Sequence, residues 1–124
     1  VEKLWVNKEI ASHWSNCIGL NGVVFGFAGQ GGGNALKCLD IATGNAKWTQ
    51  KGMGGTMILV DGKLVLLSQA GQLTVAEASP AAYKQLATAA VLSGTCWTQP
   101  SFAGGKLYAR NKEGDMVCVD LSGK

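Results

Sequence analysis

Few groups in this sequence could do covalent or metal chemistry. Cys17, Cys38, Cys96 and Cys118 form no Cys-x-x-Cys pair, so the spacing of a zinc site is lacking. Cys38 and Cys118 fall at equivalent places in two repeats that are not neighbours, which argues against a bridge between them. Cys17 and Cys96 lie near the first strands of their repeats, where they could approach each other. The plainer expectation for all four is a small buried thiol that packs. His13 is the only histidine. A base or metal ligand is open to it, but no partner accompanies it in the sequence. Trp14 follows it, and Trp97 holds the equivalent place two repeats on. Such indoles line a channel mouth and stack a flat ligand, or they cover the edge of the core. The core is the plainer reading; under the other, His13, Trp14 and Trp97 are the ligand-binding candidates. Asp40, Glu77 and Asp120 recur with the repeat, so a turn role explains them better than paired acid–base catalysis. Lys106, Tyr108 and Arg110 alternate as a solvated strand face does. The glycines from Gly26 to Gly33 would need a following helix to hold a phosphate, and the residues after them read as a strand. No catalytic residue and no metal-ligand set is expected.

These side chains need a framework, and composition bounds it. The chain has 124 residues, 47% hydrophobic and 15% charged, which suits one small domain with a buried core and excludes disorder. Eighteen glycines against two prolines mean many turns without collagen-like character. A net charge of +3, scattered along the chain, does not argue for nucleic acid. No apolar run approaches the roughly 18 residues of a membrane helix, and no signal peptide is seen. A first residue of valine suggests a mature or excised segment.

The framework is repetitive. Val60-Asp61-Gly62-Lys63-Leu64 matches Ala103-Gly104-Gly105-Lys106-Leu107 at an offset of 43. Leu20-Asn21-Gly22-Val23-Val24 precedes the second copy by 40, and Leu36-Lys37-Cys38-Leu39-Asp40 matches Leu73-Thr74-Val75-Ala76-Glu77 at 37. The first copy therefore carries three extra residues in the stretch from Gly29 to Gly33. Short apolar runs follow Asn21-Gly22, Asp61-Gly62 and Gly104-Gly105, which reads as strands entered through tight hairpins. Ser79 to Ala90 has a mild helical pattern, with Pro80 placed to start it. It is read as a degenerate turn and outer strand. A period near 40 with about four strands per copy predicts an all-β chain of propeller blades. Three blades do not close a ring of roughly 4–8.

Cys38-Leu39-Asp40-Ile41-Ala42-Thr43-Gly44-Asn45-Ala46-Lys47-Trp48 resembles the tryptophan-docking motif of pyrroloquinoline-quinone-type (PQQ-like) propeller repeats. The motif runs small residue, x, Asp, x, x, Thr, Gly, three residues, Trp, with Cys38 replacing the usual Ala. Asp40 accepts turn N–H groups, Thr43-Gly44 closes the turn, and Trp48 stacks on the next blade. The second copy keeps Glu77 but has no following Trp. The third stops at Asp120-Leu121-Ser122-Gly123-Lys124, before an outer strand. Val1 to Val6, with Trp5, reads as that strand. The last blade is then completed by the N-terminal strand of the same or a neighbouring chain.

The resulting division is 1–10 as an outer strand, 11–52 as blade one, 53–94 as blade two, and 95–124 as blade three. The structural docking set is Asp40, Thr43, Gly44, Trp48, Trp5 and Asp120. The resemblance implies a periplasmic or secreted protein. It does not fix the function, since such repeats occur in quinoprotein dehydrogenases and in scaffolds. The leading expectation is a non-catalytic scaffold for protein interaction or ligand binding, without cofactor. It forms the C-terminal part of a larger propeller or a self-assembling fragment. Its partners are other blades, copies of itself or another protein, with neither nucleic acid nor membrane insertion. One alternative is part of a dehydrogenase that oxidises an alcohol or sugar with PQQ and calcium, although the vicinal cysteine pair of some such enzymes is absent. Another is a homo-oligomeric propeller that binds glycans through Trp14 and Trp97.

Overall fold

The computed structural model describes residues 1–29 and 34–123. The spaced glycines from 31 to 33 and the Lys124 end of the expected repeat junction lie outside the described residues. Three antiparallel sheets follow one another along the chain. The first holds β1 (Ile18–Leu20), β2 (Val23–Ala28), β3 (Ala35–Asp40) and β4 (Ala46–Lys51) in that order. The second holds β5 (Thr56–Val60), β6 (Lys63–Leu67), β7 (Gln72–Glu77) and β8 (Gln85–Ala90). The third has β9 (Ser101–Ala103), β10 (Lys106–Arg110) and β11 (Met116–Asp120). Residues 79–90 are thus a turn and an outer strand, and Pro80 starts no helix.

Local chemistry explains the meanders. Asn21 and Gly22 have φ of 50° and 80°, and Asp61 and Gly62 have 48° and 71°. Two successive positive φ values match the twist of the flanking strands, and Asn, Asp and Gly tolerate them best. The turn before the third strand repeats as well. Ser68 Oγ accepts from Gln72 N at 3.0 Å, and Asn111 Oδ1 accepts from Asp115 N at 2.9 Å. Register shifts at Cys38/Leu39 and Val75/Ala76 fall at the same repeat position, so each outer strand leaves its neighbour the same way.

The second sheet is the middle layer. Leu64 and Leu66 of β6 pack with Phe25, Leu36 and Cys38 of the first sheet. Val65 and Leu67, which alternate with them, pack with Leu107 and Ala109 of the third. Strand periodicity of two sends alternate residues to opposite faces, so a run of apolar residues here means burial on both sides.

The first sheet is covered on its far side by the N-terminal segment. Ile10 lies where a side chain on Gly26 would stand, 2.7 Å away. Glu9 bonds Lys37 at 2.6 Å, and Gly29 N donates to Ala11 O at 3.2 Å. Residues 1–7 belong to no sheet. Within one chain, therefore, they do not extend the third sheet, where β11 pairs only with β10. They are held instead by side chains on the first.

The cysteines depart partly from expectation. All four are free thiols, with Cys38 and Cys96 buried but Cys17 and Cys118 exposed. Cys118 lies on the outward face of β11, which no further sheet covers among the described residues.

Candidate functional site

The docking turn is assembled around Asp40. Its Oδ1 accepts from the backbone N–H groups of Ala42 at 2.9 Å and Thr43 at 3.0 Å, and from Thr43 Oγ1 at 3.3 Å. These donors, the Thr43 N–H foremost, hold the carboxyl below the usual carboxylate range. Thr43 Oγ1 in turn accepts from Asn45 N. Gly44 follows at φ +77°, where an L side chain is strained. A β-carbon there would also sit 2.8 Å from the Trp5 ring and 2.7 Å from Asn7 Nδ2. At the third repeat, Asp120 Oδ1 accepts from Ser122 N at 2.8 Å, and bonding to Ser122 lowers its pKa likewise.

Two indoles dock in the same manner. Trp48 donates from Nε1 to Ser79 O at 2.9 Å, with its ring 6.0 Å from Phe25 and 6.1 Å from Tyr83. It reaches from the first sheet to the second. Trp5 donates from Nε1 to Ile41 O, also at 2.9 Å, and Asn7 Nδ2 donates to Gly44 O at 2.8 Å. Trp5 thus sits on the first sheet as Trp48 sits on the second. The role of Asn7 had no signal in the sequence, because it depends on how two distant segments meet.

The structure brings the ligand-binding candidates together. The Trp14 and Trp97 ring centres are 6.1 Å apart, and the His13 ring is 5.1 Å from that of Trp14. Neither indole is taken into the core: Trp14 is 43% exposed and Trp97 47%. Eight residues before each β1–β2, β5–β6 and β9–β10 turn glycine stand Trp14, Gly54 and Trp97. The middle repeat therefore contributes glycine where its neighbours contribute indole. A cleft of about 260 Å³ opens there, lined by His13, Trp14, Phe27, Gly54, Ser68 and Gln69. Lys112 Nζ lies 5.5 Å from the centre of the Trp97 ring, within cation–π range. In the sequence Lys112 only clusters with Lys106 and Arg110 of the third repeat, which reads as a solvated face, and nothing local signalled its place over the Trp97 ring.

The remaining candidates do not form a reactive cluster. Burial pushes the Cys38 and Cys96 thiols up, and partial desolvation does the same for Cys17. That is opposite to what a nucleophilic thiolate needs. Among the described residues no three His, Cys, Asp or Glu side chains lie close enough to hold a metal ion. Among the described residues no helix is long and apolar enough to cross a membrane.

The architecture has clear counterparts among solved structures. The crystal structure of the computationally designed Ika4 protein superposes with a TM-score of 0.67 at 17% identity, covering 92% of this chain and 71% of that one. BamB from Moraxella catarrhalis superposes with a TM-score of 0.69 at 18% identity, covering 98% of this chain and 40% of that one. Both are propellers. This chain is a set of β-propeller blades. Its three sheets are the blades, and β1, β5 and β9 are their first strands. The chain spans well under half of BamB. No protein-family model matches the sequence, and no curated protein matches it.

Proposed function

We propose that the chain is a non-catalytic propeller scaffold of the PQQ-like kind. In this reading it joins further blades around one axis and presents the Trp14–Trp97 face to a partner. The observation that carries it is the docking of Trp5. Residues 1–10 occupy the first blade as the outer strand of a preceding blade would, with the hydrogen bond Trp48 makes to the second. The third blade offers the complementary edge at β11. Copies of this chain supply both parts, and two copies would bring six blades, within the usual range of roughly 4–8. The periplasm or the secreted fraction is the compartment in this reading, through the repeat resemblance, and cell fractionation tests it.

The scaffold reading is tested against the dehydrogenase reading by adding PQQ, calcium and an electron-accepting dye to the assembled protein. No alcohol- or sugar-dependent dye reduction is expected. Sustained turnover would overturn the scaffold. Calcium takes six to eight oxygen ligands, carbonyls included, so dye reduction in the assembled protein decides between the two readings.

The paired indoles favour a second reading, glycan binding. Exposed rings 6.1 Å apart with a lysine over one of them suit stacking on sugar faces. Saturable quenching of tryptophan fluorescence by a glycan, lost in Trp14→Ala and Trp97→Ala, supports it. Flat responses across a glycan panel would remove it.

A further inference from the structure

A second cavity lies between the second and third blades. Its volume is about 410 Å³, and Val65, Val75, Ala87 and Leu121 line it, with Leu86 and Phe102 beside them. The repeat explains its origin. Pairing along the third and fourth strands sets Cys38 opposite Trp48 in the first blade and Val75 opposite Ala87 in the second. Ala87 therefore occupies the docking-tryptophan position. Val65 corresponds to Phe25, against which Trp48 packs, and Leu121 corresponds to Ile41, whose carbonyl receives Trp5. The cavity is a docking notch whose own chain supplies a methyl group where its two sister notches hold an indole.

We propose that this notch binds a small flat bicyclic aromatic carrying one N–H donor, of which indole is the simplest member. Three observations support that class. The sister notches show what the shape accepts, since both hold an indole through one N–H···O=C bond of 2.9 Å, Trp48 with its ring tilted against Phe25 and Tyr83 and Trp5 with its ring beside Gly44. In the repeat, Leu121 and Ser122 correspond to Ile41 and Ser79, whose carbonyls accept the two indole N–H groups, and Leu121 lines the cavity. The mouth leaves apolar surface uncovered, with Leu86 43% and Phe102 36% exposed. The volume falls within the roughly 300–1,000 Å³ of small-molecule sites. Burial of an aromatic ring is the driving force, and the N–H bond gives orientation.

The test is a titration of the intact protein with indole, followed by backbone amide shifts. Saturable shifts are expected at Val75, Ala87 and Leu121. They should persist in Trp14→Ala and weaken by about tenfold or more in Ala87→Trp, which fills the notch from within. Ala87→Trp should also raise the melting temperature. Benzofuran, of the same shape without the N–H, should bind several-fold more weakly. Absence of saturation, shifts confined to the Trp14–Trp97 face, or equal binding of benzofuran would overturn the proposal. Should Ala87→Trp not fold, the shift map of the unsubstituted protein and the benzofuran comparison decide it. The outcome is independent of whether the ring is built from copies.

Discussion

Asp40 shows how much one side chain organises. Its carboxylate takes three hydrogen bonds that its protonated form would weaken. Its folded pKa lies below its unfolded one. Stability from this group is therefore present above the unfolded value, near 4, and is lost as pH falls through the folded value. Melting temperature should decline over that acid window, and Asp40→Asn should flatten the decline. An unchanged profile would remove Asp40 from the turn. Gly44→Ala should cost about 1–3 kcal/mol through its positive φ, with a further loss because the new methyl meets the Trp5 ring. Trp48→Ala should cost about 3 kcal/mol in urea unfolding, at the low end for a large aromatic because the ring is half-buried. A change within about 0.5 kcal/mol would mean that the indole holds no blades together. The docking turn was legible in the sequence because it closes within a few residues, and each residue type has one natural task there. The contact between Trp14 and Trp97 was not legible. It depends on how the first strands of non-adjacent blades converge, which no local pattern encodes, and on the glycine that stands between them in the repeat.

At the scale of elements, the apolar run of β6 was readable as a strand but not as the centre of the molecule. An apolar run of this length suits a buried helix segment or a strand covered on both faces, and only the flanking repeats decided it. The last strands of the second and third sheets, the fourth of its blade in β8 and the third in β11, differ in exposure. β8 is exposed throughout, whereas β11 half-buries Val117 and Val119 and leaves Met116 and Cys118 outward. Cys38 faces the next blade from the equivalent place and is fully covered. If another blade seats on the third as the second seats on the first, Cys118 becomes covered in the same way. Maleimide should then label Cys118 slowly in the native assembly and quickly after Trp5→Ala, while Cys38 and Cys96 stay protected in both. Fast labelling of Cys118 in the native protein would show that its face meets solvent.

For the molecule as a whole, the repeat count and the blade order were legible, while the seat of residues 1–10 was only half so. The sequence marked Trp5 as a docking residue and joined it to the last blade. The structure seats it on the first, on the side away from the second. In the proposed reading the strand bridges two blades, belonging by pairing to one and by docking to the other. In that reading the N-terminal strand and the β11 edge are complementary, and exposed strand edges seek partners. Closed rotational symmetry is the ordinary way for identical chains to satisfy such sides. The most direct test is the solution mass of the chain by light scattering on a sizing column. The expected result is one sharp species at a whole multiple of the chain mass, a dimer giving six blades, that dissociates on Trp5→Ala. A stable, monodisperse monomer with unaltered mass after that substitution would contradict completion of the ring by exchanged strands.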